Sequence, residues 1–437
     1  MLVDFTVENY RSIKEPVTLS AVAQHSRQGS QSHKNKRAKS DNEITPGYRL
    51  EKWNIELLPV LAIFGANASG KSNVIQALDY LLLLMTYGSQ ESVGVSRIFK
   101  YAKPTPFRLD IISPQKSTRF ELRTLFNNII YTYSLTLNQK LILSESLEYT
   151  LPETKRPRRL FQRKWNEELK RNEWKNGSDF SGSHTQLQKS VRDNESFISI
   201  LLKLEVDVIE LLCRWLRLRW QGTSLGNESY DLFAITVLHD SDVSTSSQQI
   251  HKEALKIIKK FDTGLSGIDI QKKSNEEADV DIHALHKTNE GKELQWSFEE
   301  ESLGTQRLFS LAYRMILAFR IGGLTVIDEL GTNLHPNIVR TIVKMFQNLK
   351  TNPKSAQLIF TSHDNTLQRN NLLRRDQIWF TQKSSNQSTE LYPLTDFHVR
   401  NDLAVDKAYL DGRFGAVPLL PSDEELILQG EEKCQEN

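Results

Sequence analysis

Eight consecutive residues, Gly65-Ala66-Asn67-Ala68-Ser69-Gly70-Lys71-Ser72, carry the densest chemistry in this chain. The spacing GxxxxGK[ST] lets the backbone curl so that successive N–H groups surround phosphate oxygens at a helix N-terminus. In that setting Lys71 neutralises the β- and γ-phosphates, and the Ser72 hydroxyl ligates Mg²⁺. A second locus is Asp328-Glu329, at the end of the apolar run Leu324–Ile327. Strand ends of a parallel sheet face the ligand crevice, which puts Asp328 in place to hold Mg²⁺, through water or Ser72, and Glu329 to polarise an attacking water. Two weaker loci lie on either side. Glu301–Arg307 (ESLGTQR) is a helix start of small residues, and alone it reads as an ordinary helix cap. Gln357–Asp364 (QLIFTSHD) is an apolar strand ending in a polar cluster, in which His363 alone reads as a surface histidine. In this order along the chain, all four become parts of one nucleotide site.

These residues need a scaffold, and the hydrophobic pattern supplies one. Leu57–Phe64 (LLPVLAIF) is apolar without alternation, as expected of a parallel strand buried on both faces, and Val74–Tyr87 has helical length. Upstream, Leu2–Val7 alternates as a strand and turns at Glu8-Asn9, and Val17–Val22 follows as a second strand. The polar, basic residues 25–47 read as a loop. Within 107–151 the stretches FRLDII, TRFELRTLF, IIYTYSLTL and KLILSESLEY predict an antiparallel meander. Residues 152–262 are expected to form a helical insertion, basic at its start. From Thr263 strands return, followed by a helix opened by Ser302-Leu303-Gly304, the strand Leu324–Ile327, a helix from Pro336, the strand Gln357–Phe360 and two strands within 376–395. The expected division is an N-terminal lobe 1–151, the insertion 152–262, a C-terminal lobe 263–421 and an acidic frayed tail 422–437.

Composition sets the outer limits. The chain has 437 residues, 38% hydrophobic and 25% charged, which excludes a disordered chain, a collagen-like fibre and a small disulfide scaffold. Fifty-six Lys+Arg against 54 Asp+Glu give a net charge of +2 and name no partner. Cys213 and Cys434 fit a reducing compartment, with no CxxC for zinc. The start lacks the pattern of a signal peptide, and the apolar runs fall short of the about 20 residues needed to cross a bilayer. The expectation is a cytoplasmic protein with no membrane partner.

The order of motifs resembles the ATP-binding-cassette type of P-loop ATPase, in the branch shared by SMC, RecF and OLD proteins. Within it the chain is similar to AAA-family ATPases of bacterial anti-phage and abortive-infection systems. The resemblance runs through FTVENYRSI (5–13), GANASGKSN, TYSLTL…LSESLEY, EESLGTQR, TVIDELGTNLHP, FTSHD and YLDGRFGAVP. It implies an α/β ABC/SMC-like ATPase head, a mixed sheet with flanking helices plus an antiparallel β subdomain. It also implies Mg²⁺-dependent ATP hydrolysis in a head-to-tail homodimer that sandwiches two ATPs. Carried over by position, Gly65, Asn67, Ala68, Ser69, Gly70, Lys71, Ser72 and Asn73 bind the nucleotide. Arg11 matches the arginine of the first strand–turn, near the nucleotide, and Ser302 and Gly304 match the signature that reaches the γ-phosphate across the dimer. Asp328 with Ser72 holds the metal, while Glu329, His363 and Lys71 are catalytic, His363 as the switch histidine. Departures are SLGTQR where transporters carry LSGGQ, and His335 where many cassette ATPases carry Asp.

The resemblance implies a nucleotide-gated sensor or scaffold in anti-phage defence, controlling a separate effector such as a nuclease or toxin. OLD proteins carry a C-terminal nuclease domain, whereas 74 residues follow His363 here and part of them completes the sheet. The alternative is a RecF/SMC-like ATPase of DNA repair or replication. Residues 155–175 hold nine Lys/Arg against three Glu, with Phe161, Trp165 and Trp174 interleaved. Three readings stand open for them: a solvated helix face, a nucleic-acid backbone contact, or a docking surface for a protein partner.

Overall fold

The computed structural model describes residues 1–24, 47–88, 104–180, 184–204, 220–221, 244–261, 263–272, 280–369, 372–400 and 403–418. Two sheets organise them. The first holds β1 (Leu2–Glu8), β2 (Val17–Ser20), β6 (Thr118–Phe126), β7 (Ile129–Leu137), β8 (Ile142–Thr150), β9 (Pro157–Asn166) and β10 (Arg171–Asn176). It is antiparallel throughout, in the order β10-β9-β8-β7-β6-β1-β2. The second runs β11-β15-β16-β5-β17-β18, with β5 (Val60–Gly65), β11 (Trp220–Gln221), β15 (Leu324–Ile327), β16 (Gln357–Thr361), β17 (Ile378–Lys383) and β18 (Thr389–Pro393). Its pairings are parallel except β17 with β18, so the sheet is mixed. Two small antiparallel sheets complete the strands, β3 (Tyr48–Leu50) with β4 (Ile55–Leu57), and β12 (Gly267–Lys272), β13 (Val280–Lys287) and β14 (Glu293–Ser297). The expected architecture, a mixed α/β head beside an antiparallel β lobe, is the one observed.

Strand β5 sits inside the mixed sheet, and every residue of it is buried. Its apolar side chains divide by parity. Leu61 and Ile63 join the core shared with the antiparallel lobe and α1 (Lys71–Tyr87), while Val60, Ala62 and Phe64 join a second core on the opposite face. That second core takes Leu311 and Met315 from α5 (Leu303–Ile321) and Val339, Ile342 and Val343 from α6 (Pro336–Gln347). Two covered faces explain the uninterrupted apolar run. The run is nevertheless two strands rather than one. Pro59, which has no N–H to give a ladder, separates Leu57 at the end of β4 from Val60 at the start of β5.

Three further expectations change. Phe107–Ile112 is not a strand. The Asp110 carboxylate accepts from the Ile112 and Ser113 N–H groups and from the Ser113 hydroxyl, closing a turn, and these bonds hold its pKa down at about 2. The expected helical insertion does not begin at 152–155: residues 157–176 form the hairpin β9–β10, which extends the antiparallel sheet past β8. Phe161 and Arg163 point inward and Lys164 outward, a strand period obscured in sequence by a cation at a core position. Helices follow at α2 (His184–Leu187), α3 (Phe197–Lys203) and α4 (Ser244–Lys260). Trp220–Gln221, within the expected helical insertion, pairs as a strand with β15. The remainder of 205–243, most of the polar loop 25–47 and the tail 422–437 lie outside the described residues. The last helix among the described residues, α7 (Val405–Leu410), packs Ala408 and Tyr409 into the second core. Among the described residues no helix is long and apolar enough to cross a membrane.

Candidate nucleotide site

Because β5, β15 and β16 are parallel and adjacent, their C-terminal ends open on one edge. Gly65 ends β5, Asp328 and Glu329 follow β15, and Thr361-Ser362-His363 closes β16. Three motifs far apart in sequence therefore share one edge of the sheet.

The loop between β5 and α1 bends at Ala68 (φ 61°) and Gly70 (φ 108°). A side chain at Gly70 would collide with that of Thr389, so steric room as well as backbone freedom demands glycine there. Lys71 opens α1 and is buried. Its ammonium donates to the Gly65 carbonyl at 2.8 Å and the Ala66 carbonyl at 2.9 Å, folded back over the loop. Burial pulls its pKa below the usual lysine value, and the nearby Asp328 and Glu329 charges pull it back up. Asn67 is exposed, Ser72 and Asn73 are half-buried, and the Asn73 amide donates to the Ser12 hydroxyl at 2.6 Å.

The carboxylate edge is organised by a residue that sequence reasoning passed over. Thr361, buried, donates its hydroxyl to Asp328 Oδ1 at 2.6 Å and accepts from the Glu329 N–H at 2.7 Å. One side chain on β16 thereby orients both acidic residues that follow β15. Its position directly after an apolar strand was a visible signal, but threonine there also reads as an ordinary strand residue. Asp328 is half-buried, whereas Glu329 is exposed and held at φ 53°, outside the usual range for a residue with a side chain. Thr332 donates to Glu329 Oε2 at 3.1 Å, and His363 Nε2 lies 3.7 Å from Oε1. Burial and then the Lys71 charge push the His363 pKa below 6.5, outweighing the attraction of Glu329 and Asp328.

Arg11 has φ 52°, donates its backbone N–H to the Thr105 carbonyl at 2.5 Å, and directs its side chain to Gln76 on α1. It thus lies against the helix that the 65–70 loop opens. Ser302 and Gly304 stand elsewhere, at the N-terminus of α5. Ser302 caps that helix by accepting from the Thr305 N–H at 3.1 Å. Gly304 lies so near the Asn333 carbonyl that an added Cβ would be 2.7 Å from it. Arg307, one turn on, donates to the Asp328 carbonyl at 3.4 Å. His335 caps α6, its Nδ1 accepting from the Asn337 N–H at 3.2 Å.

Comparison with known proteins adds a family. The profile of a family described as "AAA domain, putative AbiEii toxin, Type IV TA system" matches residues 60–369, from β5 to just beyond His363. No curated protein matches the sequence. Among solved structures the chain is similar to an SMC head bound to the C-winged helix domain of ScpA, at 14% identity, covering 94% of this chain and 99% of that one, with a TM-score of 0.42. It is also similar to an SMC head domain from Thermotoga maritima, at 13% identity, 90% and 98% coverage and a TM-score of 0.37. A third is an Smc head with an extended coiled coil bound to the C-terminal domain of ScpA derived from Pyrococcus furiosus, at 11% identity, 94% and 98% coverage and a TM-score of 0.42.

Proposed function

Since the chain belongs to this AAA-domain family, we propose that it is a Mg²⁺-dependent ATPase that works as a homodimer and gates a separate effector in bacterial anti-phage defence. The observation that carries the ATPase reading is the common edge on which the phosphate loop, Asp328, Glu329 and His363 meet. Loop N–H groups and Lys71 receive the phosphates. The donors available to a metal are hard oxygens, the Ser72 hydroxyl and the Asp328 carboxylate, a set that suits Mg²⁺. When bound, that ion supplies charge neutralisation at the phosphates. Glu329, exposed and loosely held, takes the proton of the attacking water, and His363 senses the γ-phosphate beside it.

The dimer reading draws on the N-terminus of α5, beside the loop that follows Glu329. Ser302 is exposed, and between it and Gly304 stands Leu303, 62% exposed at the tip of α5. A serine, an apolar side chain and a helix N-terminus presented together suit a partner's nucleotide and the surface around it. The defence role is supported by the family's description, which joins the AAA domain to toxin–antitoxin systems. The effector is a separate toxin or nuclease. Nucleic acid is a further candidate partner through the exposed part of the β9–β10 hairpin.

The test compares two variants. Lys71→Ala loses nucleotide binding, whereas Glu329→Gln binds ATP but turns over about 10²–10⁴-fold more slowly. By light scattering with ATP, Glu329→Gln is the larger species, because trapped nucleotide holds the dimer closed. Turnover by Glu329→Gln at the wild-type rate overturns the assignment of the base. Equal masses for both variants at every protein and ATP concentration overturn the nucleotide-gated dimer.

A further inference from the structure

We infer that Thr389 is a positioning residue of the phosphate loop, setting the peptide between Ser69 and Gly70 through a one-way hydroxyl relay. The inference rests on the nucleotide reading above and adds to it a residue from the far end of the chain. Thr389 opens β18, is buried, and touches the loop from outside. Its hydroxyl donates to the Ser69 carbonyl at 2.9 Å. A hydroxyl has one proton to give, so at its 2.7 Å contact with Ser12 Oγ it accepts. Ser12 in turn accepts from the Asn73 amide at 2.6 Å. Every direction is thereby fixed: Asn73 donates to Ser12, Ser12 to Thr389, and Thr389 to the loop. The backbone repeats the link, the Thr389 N–H donating to the Ser12 carbonyl at 2.7 Å.

The consequence for phosphate follows from peptide planarity. In a trans peptide the C=O and the following N–H point to opposite sides, and the described residues contain no cis bond. Holding the Ser69 carbonyl outward towards Thr389 therefore turns the Gly70 N–H inward, to the side a phosphate occupies. A second hydroxyl steadies the same residue, since Ser69 Oγ meets Thr381 Oγ1 at 2.6 Å and Thr381 in turn reaches the Phe64 carbonyl. Both ends of the loop are thus fastened to β17 and β18. Through Ser12, in the turn after β1, the fastening extends into the antiparallel lobe.

The experiment uses Thr389→Val, which keeps the shape and deletes the hydroxyl, and Thr389→Ser, which keeps the hydroxyl. Fluorescent ATP and ADP analogues are titrated into each full-length variant well below its unfolding temperature, with Lys71→Ala as control. The expected result is a rise in Kd of about tenfold for Thr389→Val, equal for ATP and ADP, and restored to within about twofold by Thr389→Ser. Ser12→Ala, which removes the two upstream bonds and leaves the one from Thr389 to the Ser69 carbonyl, shifts Kd the same way by a smaller factor and remains informative should Thr389→Val fail to fold. If wild type binds nucleotide, Lys71→Ala does not, and Thr389→Val or Ser12→Ala binds like wild type, the positioning role is overturned alone. A loss of thermal stability with unchanged Kd has the same meaning. If wild type itself binds neither analogue, the nucleotide reading falls and this inference with it.

Discussion

Two carboxylates in this molecule meet their nitrogen partners in opposite ways. Glu145 and Arg163 meet at 2.8 Å with no exposure on either side chain. Glu145 also accepts from the Tyr133 and Ser196 hydroxyls and from the Phe197 and Ile198 N–H groups, so it caps α3 from inside the antiparallel lobe. Glu329 and His363 stand 3.7 Å apart, each about half exposed, with a threonine hydroxyl as the other partner of the carboxylate. A saturated carboxylate has no lone pair left for a ligand, and its work is to join β8, β9 and α3. A sparsely bonded carboxylate on a residue at positive φ is available to a water molecule. Charge pairing alone does not mark a functional group; the number of bonds already made does.

The contrast is open to attack from the buried side first. Arg163→Met strands the Glu145 charge, and Glu145→Gln strands that of Arg163, so each costs about 3–5 kcal/mol in chemical denaturation. Glu329→Gln, by contrast, changes unfolding free energy by no more than about 0.5 kcal/mol. Equal losses at the two sites would dissolve the distinction between them.

A pH series sharpens the exposed side. Burial and then the Lys71 charge hold the His363 pKa below the ordinary histidine value. As pH falls through that depressed value, the protonated ring pairs with Glu329 and takes the base out of use. Hydrolysis measured against pH at saturating ATP should therefore fall on the acid side, below the ordinary histidine value. His363→Gln should lose that inflection. An unchanged acid limb in the variant would assign it to another group.

The smallest effect concerns the outer face of the hairpin. Reversing Arg158, Arg159 and Lys164 to Glu, all exposed, should leave stability within about 0.5 kcal/mol and ATP turnover unaltered. Arg163 belongs to the interior and would confound that experiment. If the face follows nucleic-acid phosphates, wild-type binding to duplex DNA weakens with salt at a log–log slope of about −0.9 per phosphate, and the triple variant loses it. Equal DNA binding by both proteins at every salt concentration returns the face to a solvated edge.

What the sequence disclosed depended on contiguity. The loop 65–72, the strand Leu324–Ile327 and the helix from Pro336 were legible because each is a short run whose neighbours in sequence are its neighbours in space. Thr361, Thr381, Thr389 and Ser12 were not, although they hold the same site together. Threonine on a strand is the commonplace choice for a pleated surface, and nothing local marks one whose hydroxyl meets a loop about 300 residues away. The basic stretch was misjudged for a different reason. Composition suggests a charged helix face, but pairing with β8 decides the conformation, and the inward Arg163, paired with Glu145 across the strands, hides the strand period.

The order of the mixed sheet also sets a timetable. Strand β5 leaves the ribosome early, yet both its partners, β16 and β17, come from beyond residue 356. At about 5–20 residues per second, roughly 15–60 s of synthesis separate them. For that interval an uninterrupted run of Val60, Leu61, Ala62, Ile63 and Phe64 has an open ladder on each side, while the nascent antiparallel lobe can already pair its own strands. Holding chaperones should therefore engage the growing chain at β5, and slowed translation downstream should lower soluble yield by prolonging that exposure.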